Sequence, residues 1–461
     1  MIIYAAQDLR FKPVQYLENK MRTLNVREIA LDLIDAVEKS GSYSNLMLNN
    51  AIEKNNISGR DTALLTEITY GTIQRKLTLD FYLAPFLKKK PELWVHNLLR
   101  LSLYQMVYLD KVPERAVIHE AVDIAKKRGH KGISGMVNGV LRSIQREGVP
   151  DTKSIKDDAE RISIETSHPL WLVKRWMKAY GKEKTEAMCQ HNLTAPEQTV
   201  RVNAMKMTRD EAVSVLKEEG FDASPSDVSP YAIRLMKGNA ARSTLYKNGA
   251  ISIQDESSML VAPVVGAKPG QRILDMCSAP GGKTAHLAEQ MNGEGRIDAL
   301  DIHAHKLKLV TQNADRLALS NIHIQKQDAR KAGELFAEET FDAILVDAPC
   351  SGLGVIRRKP DLKYAKTEQD LDNLQRIQLA ILDAAVPLLK KQGVLVYSTC
   401  TVDKEENEGT VNVFLSNHPE FEPVPLEQIS IKPEQTMIQV FPDDFGGDGF
   451  FISKFRKKEN S

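Results

Sequence analysis

The stretch that decides the fold reads Arg272-Ile273-Leu274-Asp275-Met276-Cys277-Ser278-Ala279-Pro280-Gly281-Gly282-Lys283-Thr284. It begins with an apolar run, passes through a turn with two glycines, and leads into a helix-like run that extends to Gln290. This order predicts a strand, a tight turn and a helix. Such a turn directs backbone N–H groups and a helix N-terminus towards a bound cofactor, and glycines let the backbone approach it closely.

Several interpretations of this turn remain open from the stretch alone. A dinucleotide-binding fingerprint requires G-x-G-x-x-G, which the stretch lacks. A P-loop requires a glycine five residues before Gly282, and Cys277 stands there. The other two interpretations are a loop that binds S-adenosylmethionine (SAM) and an ordinary tight turn of an α/β domain.

Length and composition indicate a globular protein of two or three domains. The chain has 461 residues, of which 42% are hydrophobic and 27% charged. It lacks an apolar run long enough to cross a membrane and a signal-peptide pattern at its start, so we expect a cytoplasmic protein. Its four cysteines have neither disulfide-framework nor metal-ligand spacing, which predicts reduced thiols and no metal site.

Charge is distributed unevenly along the chain. The first 150 residues hold 22 Lys and Arg against 16 Asp and Glu, whereas the remainder hold 40 against 45. A basic front part indicates an electrostatic partner, and a solvated charged surface accounts for it nearly as well.

Residues 25–148 have the apolar spacing of an all-helical domain and follow an N-terminal extension of residues 1–24. The clean helical pattern starts only after Met21, which we interpret as the natural start of the chain. The basic run of residues 126–132 is predicted to be a flexible loop between two helices, where it is either suited to phosphate or simply solvated.

Three blocks of this segment resemble the RNA-binding domain of the NusB family. They read Arg27-Glu28-Ile29-Ala30-Leu31, Pro113-Glu114-Arg115-Ala116-Val117-Ile118-His119-Glu120-Ala121-Val122 and Gly135-Met136-Val137-Asn138-Gly139-Val140-Leu141-Arg142. The resemblance implies RNA as the partner of the basic segment. The candidate contacts are Lys126, Lys127, Arg128, Lys131 and Arg142.

The rest of the chain divides into a linker and two further domains. Residues 149–166 are polar and predicted to be a linker, and residues 167–260 form a small α+β module. Residues 261–456 alternate between the two kinds of element, with strands predicted at 272–276, 296–301, 321–326, 341–347 and 393–398 and helices at 284–291, 303–318, 330–337, 368–390 and 403–416. We expect a doubly wound sheet of the α/β class, with an antiparallel hairpin among its last strands.

Acidic residues follow the predicted strands at the edge where such sheets bind ligands. They are Asp275, Asp301, Asp328 and Asp347. An acid after the second strand accepts hydrogen bonds from both ribose hydroxyls, and one after the third accepts from the amine of adenine. One such acid would be an ordinary helix cap, but four in register favour a pocket for an adenosyl group.

Two cysteines stand just beyond the fourth and fifth strands. Cys350 lies in Asp347-Ala348-Pro349-Cys350-Ser351-Gly352, and Cys400 lies in Tyr397-Ser398-Thr399-Cys400-Thr401. Either alone is most simply buried filler, but a pair at one functional edge indicates thiol chemistry. Methylation at C5 of a pyrimidine needs such a set, because a thiolate that adds to C6 makes C5 nucleophilic.

At these blocks the chain is similar to the RsmB/Sun family of SAM-dependent RNA 5-methylcytosine methyltransferases. Further matching blocks are Ile253-Gln254-Asp255-Glu256-Ser257-Ser258 and Asp448-Gly449-Phe450-Phe451. With the NusB-like front, the resemblance covers residues 25–456 and implies a Rossmann-like SAM methyltransferase domain that acts as a monomer on a cytosine of 16S rRNA. It implies Cys400 as the nucleophile, Cys350 as the residue that assists release, and Asp347 facing the cytosine.

The resemblance also implies the residues that contact SAM. They are Cys277, Ser278, Ala279, Pro280, Gly281, Gly282, Lys283, Asp301, Asp328 and Asp347. DNA cytosine-C5 methyltransferases use the cysteine of the earlier block instead, so spacing does not choose between the two thiols.

Two other function classes compete with this interpretation. A non-catalytic RNA-binding factor would have no need of Cys350 and Cys400. An enzyme that methylates an exocyclic amine needs no thiol and often carries a D/N-P-P-Y/F block, whereas this chain has Asp347-Ala348-Pro349-Cys350.

Overall fold

A computed structural model describes residues 25–40 and 44–459 of the chain. The expected N-terminal extension and the proposed start at Met21 lie outside the described residues. No helix within these two ranges is long and apolar enough to cross a membrane.

The front of the chain is all-helical, as predicted. Its helices are α1 Val26–Ser40, α2 Ser44–Lys54, α3 Gly59–Gln74, α4 Lys76–Leu83, α5 Leu93–Tyr108, α6 Glu114–Arg128 and α7 Lys131–Glu147. Helix α5 lies at the centre, because residues 95–105 are all buried. The amphipathic helix α7 packs its apolar stripe, including Val137 and Leu141, into the same core.

The predicted linker of residues 149–166 contains a helix, α8 Asp158–Thr166. Asp157 caps it through a 2.8 Å hydrogen bond from the Glu160 N–H group, and Ile162 is fully buried. The sequence did not predict this helix because most of its residues are polar and only one face, which includes Ile162, is apolar and buried.

A small α+β module follows, with a four-stranded antiparallel sheet in the order β2-β3-β1-β4. Its elements are α9 Leu170–Tyr180, α10 Lys182–His191, β1 Gln198–Val202, α11 Arg209–Glu218, β2 Asp222–Pro225, β3 Ala232–Lys237, α12 Thr244–Lys247 and β4 Ile251–Ile253. Strand β2 has no apolar alternation of its own, which is why the sequence did not predict it.

The last part of the chain forms a doubly wound mixed sheet, in agreement with the predicted α/β class. Its strands are β5 Arg272–Asp275, β6 Arg296–Asp301, β7 Ile322–Lys326, β8 Phe341–Asp347, β9 Leu389–Thr399, β10 Phe421–Pro423, β11 Met437–Val440 and β12 Phe450–Lys457. The order is β10-β12-β9-β8-β5-β6-β7, with β11 beside β12. Strands β5 to β9 pair in parallel, and β12 runs antiparallel to β9, β10 and β11.

Helices cover both faces of this sheet. They are α13 Glu256–Met259, α14 Val261–Val265, α15 Gly282–Gln290, α16 Ala304–Leu317, α17 Leu362–Ala365, α18 Glu368–Ala385, α19 Thr410–Asn417 and α20 Pro442–Phe445. The helix predicted at 330–337 is a short 3-10 segment, Ala329–Glu334, and the one predicted at 403–416 opens with a π-helical turn, Glu405–Gly409. The order in which strands are added reverses at β5, because β6 and β7 lie on one side of it and β8 and β9 on the other. The predicted cofactor loop, which follows β5, therefore starts at the topological switch point.

The helical front packs directly against the segment that follows Cys350. The Lys363 Nζ atom on α17 donates to the Gln74 carbonyl at 2.8 Å, and the Tyr364 hydroxyl donates to the same carbonyl at 3.2 Å. Lys363 is fully buried, and that burial lowers its pKa to about 7. These contacts join the front helices to the segment that follows β8.

Candidate active site

The loop after β5 is held by backbone contacts to the next strand. The Ser278 N–H and hydroxyl groups both donate to the Leu300 carbonyl, at 2.8 and 3.0 Å. Gly281 has a φ of +101°, and a Cβ atom there would lie 3.0 Å from the Val310 Cα atom of α16. Glycine is required at this position because the loop turns sharply against α16.

Asp275 at the end of β5 supports this loop from below. It accepts hydrogen bonds from the Thr284 hydroxyl at 2.7 Å and from the Cys277 N–H group at 3.3 Å. Burial raises the pKa of Asp275 to about 7, against the opposing hydrogen bond from Thr284. Burial also raises the pKa of Cys277, so this thiol is poorly suited to act as a nucleophile.

The next two strand-end acids have different partners. One oxygen of Asp301 accepts the His303 N–H group, just before α16, at 2.8 Å, and the other makes no hydrogen bond within the described part of the chain. Asp328 accepts the Arg330 guanidinium at 2.6 and 3.0 Å, and this pairing lowers the pKa of Asp328. Asp301 thus offers an open acceptor, whereas Asp328 shares its lone pairs with Arg330.

Asp347 at the end of β8 joins the cofactor loop to β9. Its two oxygens accept the Lys283 ammonium at 2.7 Å and the Ser398 hydroxyl at 2.8 Å. Burial opposes the charge on Lys283, but Asp347 outweighs it and raises the pKa of Lys283. Lys283 also lies 5.0 Å from the centre of the Phe450 ring. The loop lysine therefore points towards the ends of β8 and β9.

The two predicted thiols meet at this point. The Cys350 and Cys400 Sγ atoms lie 3.2 Å apart, and both residues are only partly accessible. The contact with Cys350 lowers the pKa of Cys400 against the opposing effects of burial and Asp347, and Lys283 and Lys359 lower it further. The same contact raises the pKa of Cys350, as does burial. Of the two sulfur atoms, Cys400 is the one that more readily becomes a thiolate.

Close backbone packing fixes the two cysteine loops against each other. The Gly354 N–H group donates to the Cys400 carbonyl at 3.0 Å, and the Gly449 N–H group donates to the Gly354 carbonyl at 2.8 Å. A Cβ atom on Gly354 would lie 2.0 Å from the Gly449 carbonyl oxygen. The Ser351 and Thr401 hydroxyls bond to each other at 2.8 Å. Gly354 and Gly449 therefore allow this approach because neither carries a Cβ atom.

Arg201 on β1 is a site residue that the sequence analysis missed. It is fully buried, forms a bidentate pair with Glu289 of α15 at 2.7 and 3.0 Å, and donates to the Gly282 carbonyl at 2.9 Å. It also contacts the Gln254 side-chain carbonyl. This arginine ties the small module to the first turn of α15, and only its position in a Val-Arg-Val strand pattern could have indicated burial.

The basic run of residues 126–132 differs from its prediction. Lys126, Lys127 and Arg128 form the last turn of α6, so only two residues connect α6 to α7. Lys127 pairs with Glu28, and Arg128 pairs with Asp32 at 2.8 Å. The predicted flexible loop is a helix end whose charges are largely neutralised by α1. No acidic partner contacts Lys131 within residues 25–40 and 44–459, and Arg142 donates to Gln145 at 2.8 Å.

Comparison with known protein families agrees with this organisation. Residues 262–456 match the family described as 16S rRNA methyltransferase RsmB/F, and residues 24–146 match the NusB family. Residues 168–242 match the ferredoxin-like domain of RsmF/B-like methyltransferases.

Curated relatives match over nearly the whole chain. The probable ribosomal RNA small subunit methyltransferase B of Bacillus subtilis is 52% identical, over 95% of this chain and 100% of the relative. The chain belongs to the ribosomal RNA small subunit methyltransferase B family. The enzyme of Photorhabdus laumondii is 33% identical, over 95% of this chain and 99% of its own.

Solved structures place the fold in the same group. The crystal structure of PH0851 has a TM-score of 0.79 at 27% identity and covers 95% of this chain and 100% of its own. A methyltransferase homologue from Pyrococcus horikoshii has a TM-score of 0.58 at 28% identity and covers 66% of this chain and 100% of its own. As a member of the methyltransferase B family, the chain is a SAM-dependent methyltransferase of small-subunit ribosomal RNA.

Proposed function

We propose that the protein transfers a methyl group from SAM to C5 of a cytosine in 16S rRNA, with Cys400 as a covalent nucleophile. The observation that carries this proposal is the 3.2 Å contact between Cys350 and Cys400, beside the Lys283–Asp347 pair. A methyltransferase that acts on an exocyclic amine would need neither thiol.

The cofactor fits the edge of the sheet where residues 277–283 and Asp301 lie. The open oxygen of Asp301 suits a ribose hydroxyl, and Asp328 supplies acceptors for the adenine amine beside its contact with Arg330. The first turn of α15 brings the backbone close without a Cβ atom at Gly281 or Gly282. Bound SAM supplies an electrophilic methyl group and leaves as S-adenosylhomocysteine.

Cys400 performs the step that makes C5 reactive. Its thiolate forms a bond to C6 of the cytosine, and the electron pair of the C5–C6 double bond moves so that C5 can attack the methyl carbon. The base must leave its stack to reach the Cys400 thiol, which lies just beyond the end of β9. Cys350 and Lys283 favour the thiolate that this step needs.

Asp347 and Lys283 hold the ring during the addition. A carboxyl group beside the ring stabilises the adduct through N3 and the exocyclic amine. Asp347 is fixed for this role because Lys283 and Ser398 bind its two oxygens. Its remaining lone pairs accept from the exocyclic amine, and the adjacent Lys283 ammonium donates to N3, which becomes more basic as the adduct forms.

Cys350 assists release of the product. After methyl transfer, C5 carries both the methyl group and its original proton. Loss of that proton to a base restores the C5–C6 double bond as the C6–sulfur bond breaks, and Cys400 leaves as a thiolate. Cys350 lies next to the departing sulfur atom and donates a hydrogen bond to it, which stabilises the leaving thiolate.

Assignment of Cys350 as the nucleophile is the alternative drawn from DNA methyltransferases. The charges around the pair favour Cys400, since Lys283 and Lys359 lower the pKa of Cys400 whereas Glu406 raises that of Cys350.

Bisulfite mapping of 16S rRNA tests the reaction. We expect one cytosine to resist conversion in cells with the wild-type protein and to convert in cells that lack it or carry Cys400→Ala. An identical pattern with and without the protein would contradict methylation at cytosine C5.

A further inference from the structure

A groove in the helical front lies between the segment that links α4 to α5 and one face of α7. It has a volume of about 900 Å³, and its floor is apolar, formed by Phe86, Ile133, Met136 and Val140. The lysines at positions 88–90 form one rim of the groove. Gly139 of α7 lines the groove as well and has no side chain to narrow it.

The rim carries positive charge that the protein does not neutralise. Lys88, Lys89 and Lys90 are all exposed, and none makes an ion pair or side-chain hydrogen bond within the described part of the chain. The lysines and arginine at the end of α6 differ, because Glu28, Asp32 and Asp123 pair with them. Three unpaired lysines thus border the apolar groove, whose single acidic lining residue among those the structure describes is Glu92.

We propose that this groove binds a single-stranded segment of the RNA substrate, with its phosphates on the lysine rim and a base against the apolar floor. Three exposed ammonium groups attract a phosphate backbone, and an apolar floor beside them accepts the face of an unstacked base. This inference rests on the proposed action on RNA and locates the part of the substrate outside the active site.

The domain that carries the groove packs against the domain that carries the two thiols. Gln74 of the helical front accepts hydrogen bonds from Lys363 and Tyr364 on α17, which follows the Cys350 segment along the chain. RNA bound in the groove therefore lies on a domain that is in direct contact with the active-site domain.

Occlusion of the groove is the sharpest test. A Cβ atom on Gly139 meets nothing within 4 Å, so Gly139→Leu fills the groove without displacing its neighbours. Leucine also favours a helix over glycine, so folding should be preserved. Asn138→Leu is the matched control, because Asn138 is an exposed residue of α7 that does not line the groove.

We expect Gly139→Leu to weaken binding of a 16S rRNA fragment roughly tenfold or more, measured without SAM, while Asn138→Leu leaves it unchanged. Replacement of Lys88, Lys89 and Lys90 by glutamine should reduce the slope of log affinity against log salt by about 2, because three phosphate contacts are lost. The triple variant changes only exposed side chains, so it decides the matter if Gly139→Leu does not fold.

Unchanged RNA affinity and salt slope in both variants would overturn the proposal and leave the groove to another partner, such as an acidic protein segment. Methyl transfer by the same preparations separates this outcome from a failure of the proposed reaction. A protein that methylates cytosine but binds RNA normally after both changes would retain the reaction and refute only the groove.

Discussion

The Cys350 and Cys400 Sγ atoms lie 3.2 Å apart, although fifty residues separate them in the chain. The contact follows from strand register, because Asp347 of β8 pairs with Ser398 of β9 in a parallel ladder. Cys350 comes three residues after the first and Cys400 two residues after the second. Both loops leave the same edge, and the Gly354 contact to the Cys400 carbonyl closes them together.

Replacement of Cys400 by alanine should abolish methyl transfer and leave SAM binding intact. In the proposed mechanism the Cys400 thiolate forms the bond to C6, whereas the loop of residues 277–283 and Asp301 carry the cofactor contacts. Cys189→Ala is the control, because Cys189 is fully buried in a different core cluster and burial raises its pKa to about 12. Full methyl transfer by Cys400→Ala would exclude Cys400 as the nucleophile.

Arg201 should determine SAM affinity through the first turn of α15. The double exchange Arg201→Met with Glu289→Leu removes a buried charge pair as a unit, which is often neutral for stability. It also removes the hydrogen bond to the Gly282 carbonyl. We expect SAM to bind roughly tenfold more weakly, in line with the ~1.5 kcal/mol of a hydrogen bond from a charged donor.

The matched control for Arg201 is the same double exchange at Arg234 and Glu256. This pair is also bidentate, at 2.7 and 2.9 Å, and joins Arg234 on the neighbouring strand β3 to Glu256 on α13 without a hydrogen bond to residues 277–283 in the described part of the chain. Calorimetric titration with SAM and a melting temperature should be recorded for both double variants. Equal SAM affinity in wild type and the Arg201 variant, with both folded, would show that Arg201 has only a structural role.

Asp275 should make stability fall as pH rises from about 4 to about 7. Its folded-state pKa of about 7 exceeds the ordinary 3.8, so the protonated form stabilises the fold at low pH and this contribution is lost as pH rises through 7. For one such group the free energy of unfolding falls by about 1.4 kcal/mol between pH 6 and pH 8. Asp275→Asn should therefore gain stability relative to wild type over this range, in urea titrations at both pH values. A constant difference would contradict the protonated carboxyl.

Sequence patterns sufficed for the sheet and its ligand edge because apolar strands, glycine turns and strand-end acids are local signals. Asp275, Asp301 and Asp347 end strands and Asp328 follows one, as expected, but the two partners of Asp347 come from distant segments. Lys283 looked like a cofactor-loop residue, and only the fold shows its contact with Asp347.

Segments stabilised by long-range pairing were the ones that local patterns described incorrectly. The run of residues 126–132 looked like an open basic loop because Glu28 and Asp32, which neutralise it, lie about a hundred residues earlier in the chain. Helix α8 was hidden in a polar segment, since its only strong signal is the buried face around Ile162. Arg201 was hidden for the same reason, because its partners Gln254, Gly282 and Glu289 become neighbours only in the folded protein.

The covalent step can be observed directly in the Cys350→Ala variant incubated with SAM and a 16S rRNA fragment. Because the proposed mechanism assigns product release to Cys350, this variant should accumulate a protein–RNA adduct that survives a denaturing gel, with the RNA attached to Cys400 in peptide mass spectrometry. The double variant Cys350→Ala with Cys400→Ala should form none. Absence of an adduct in the single variant, or an adduct that persists in the double variant, would contradict the account.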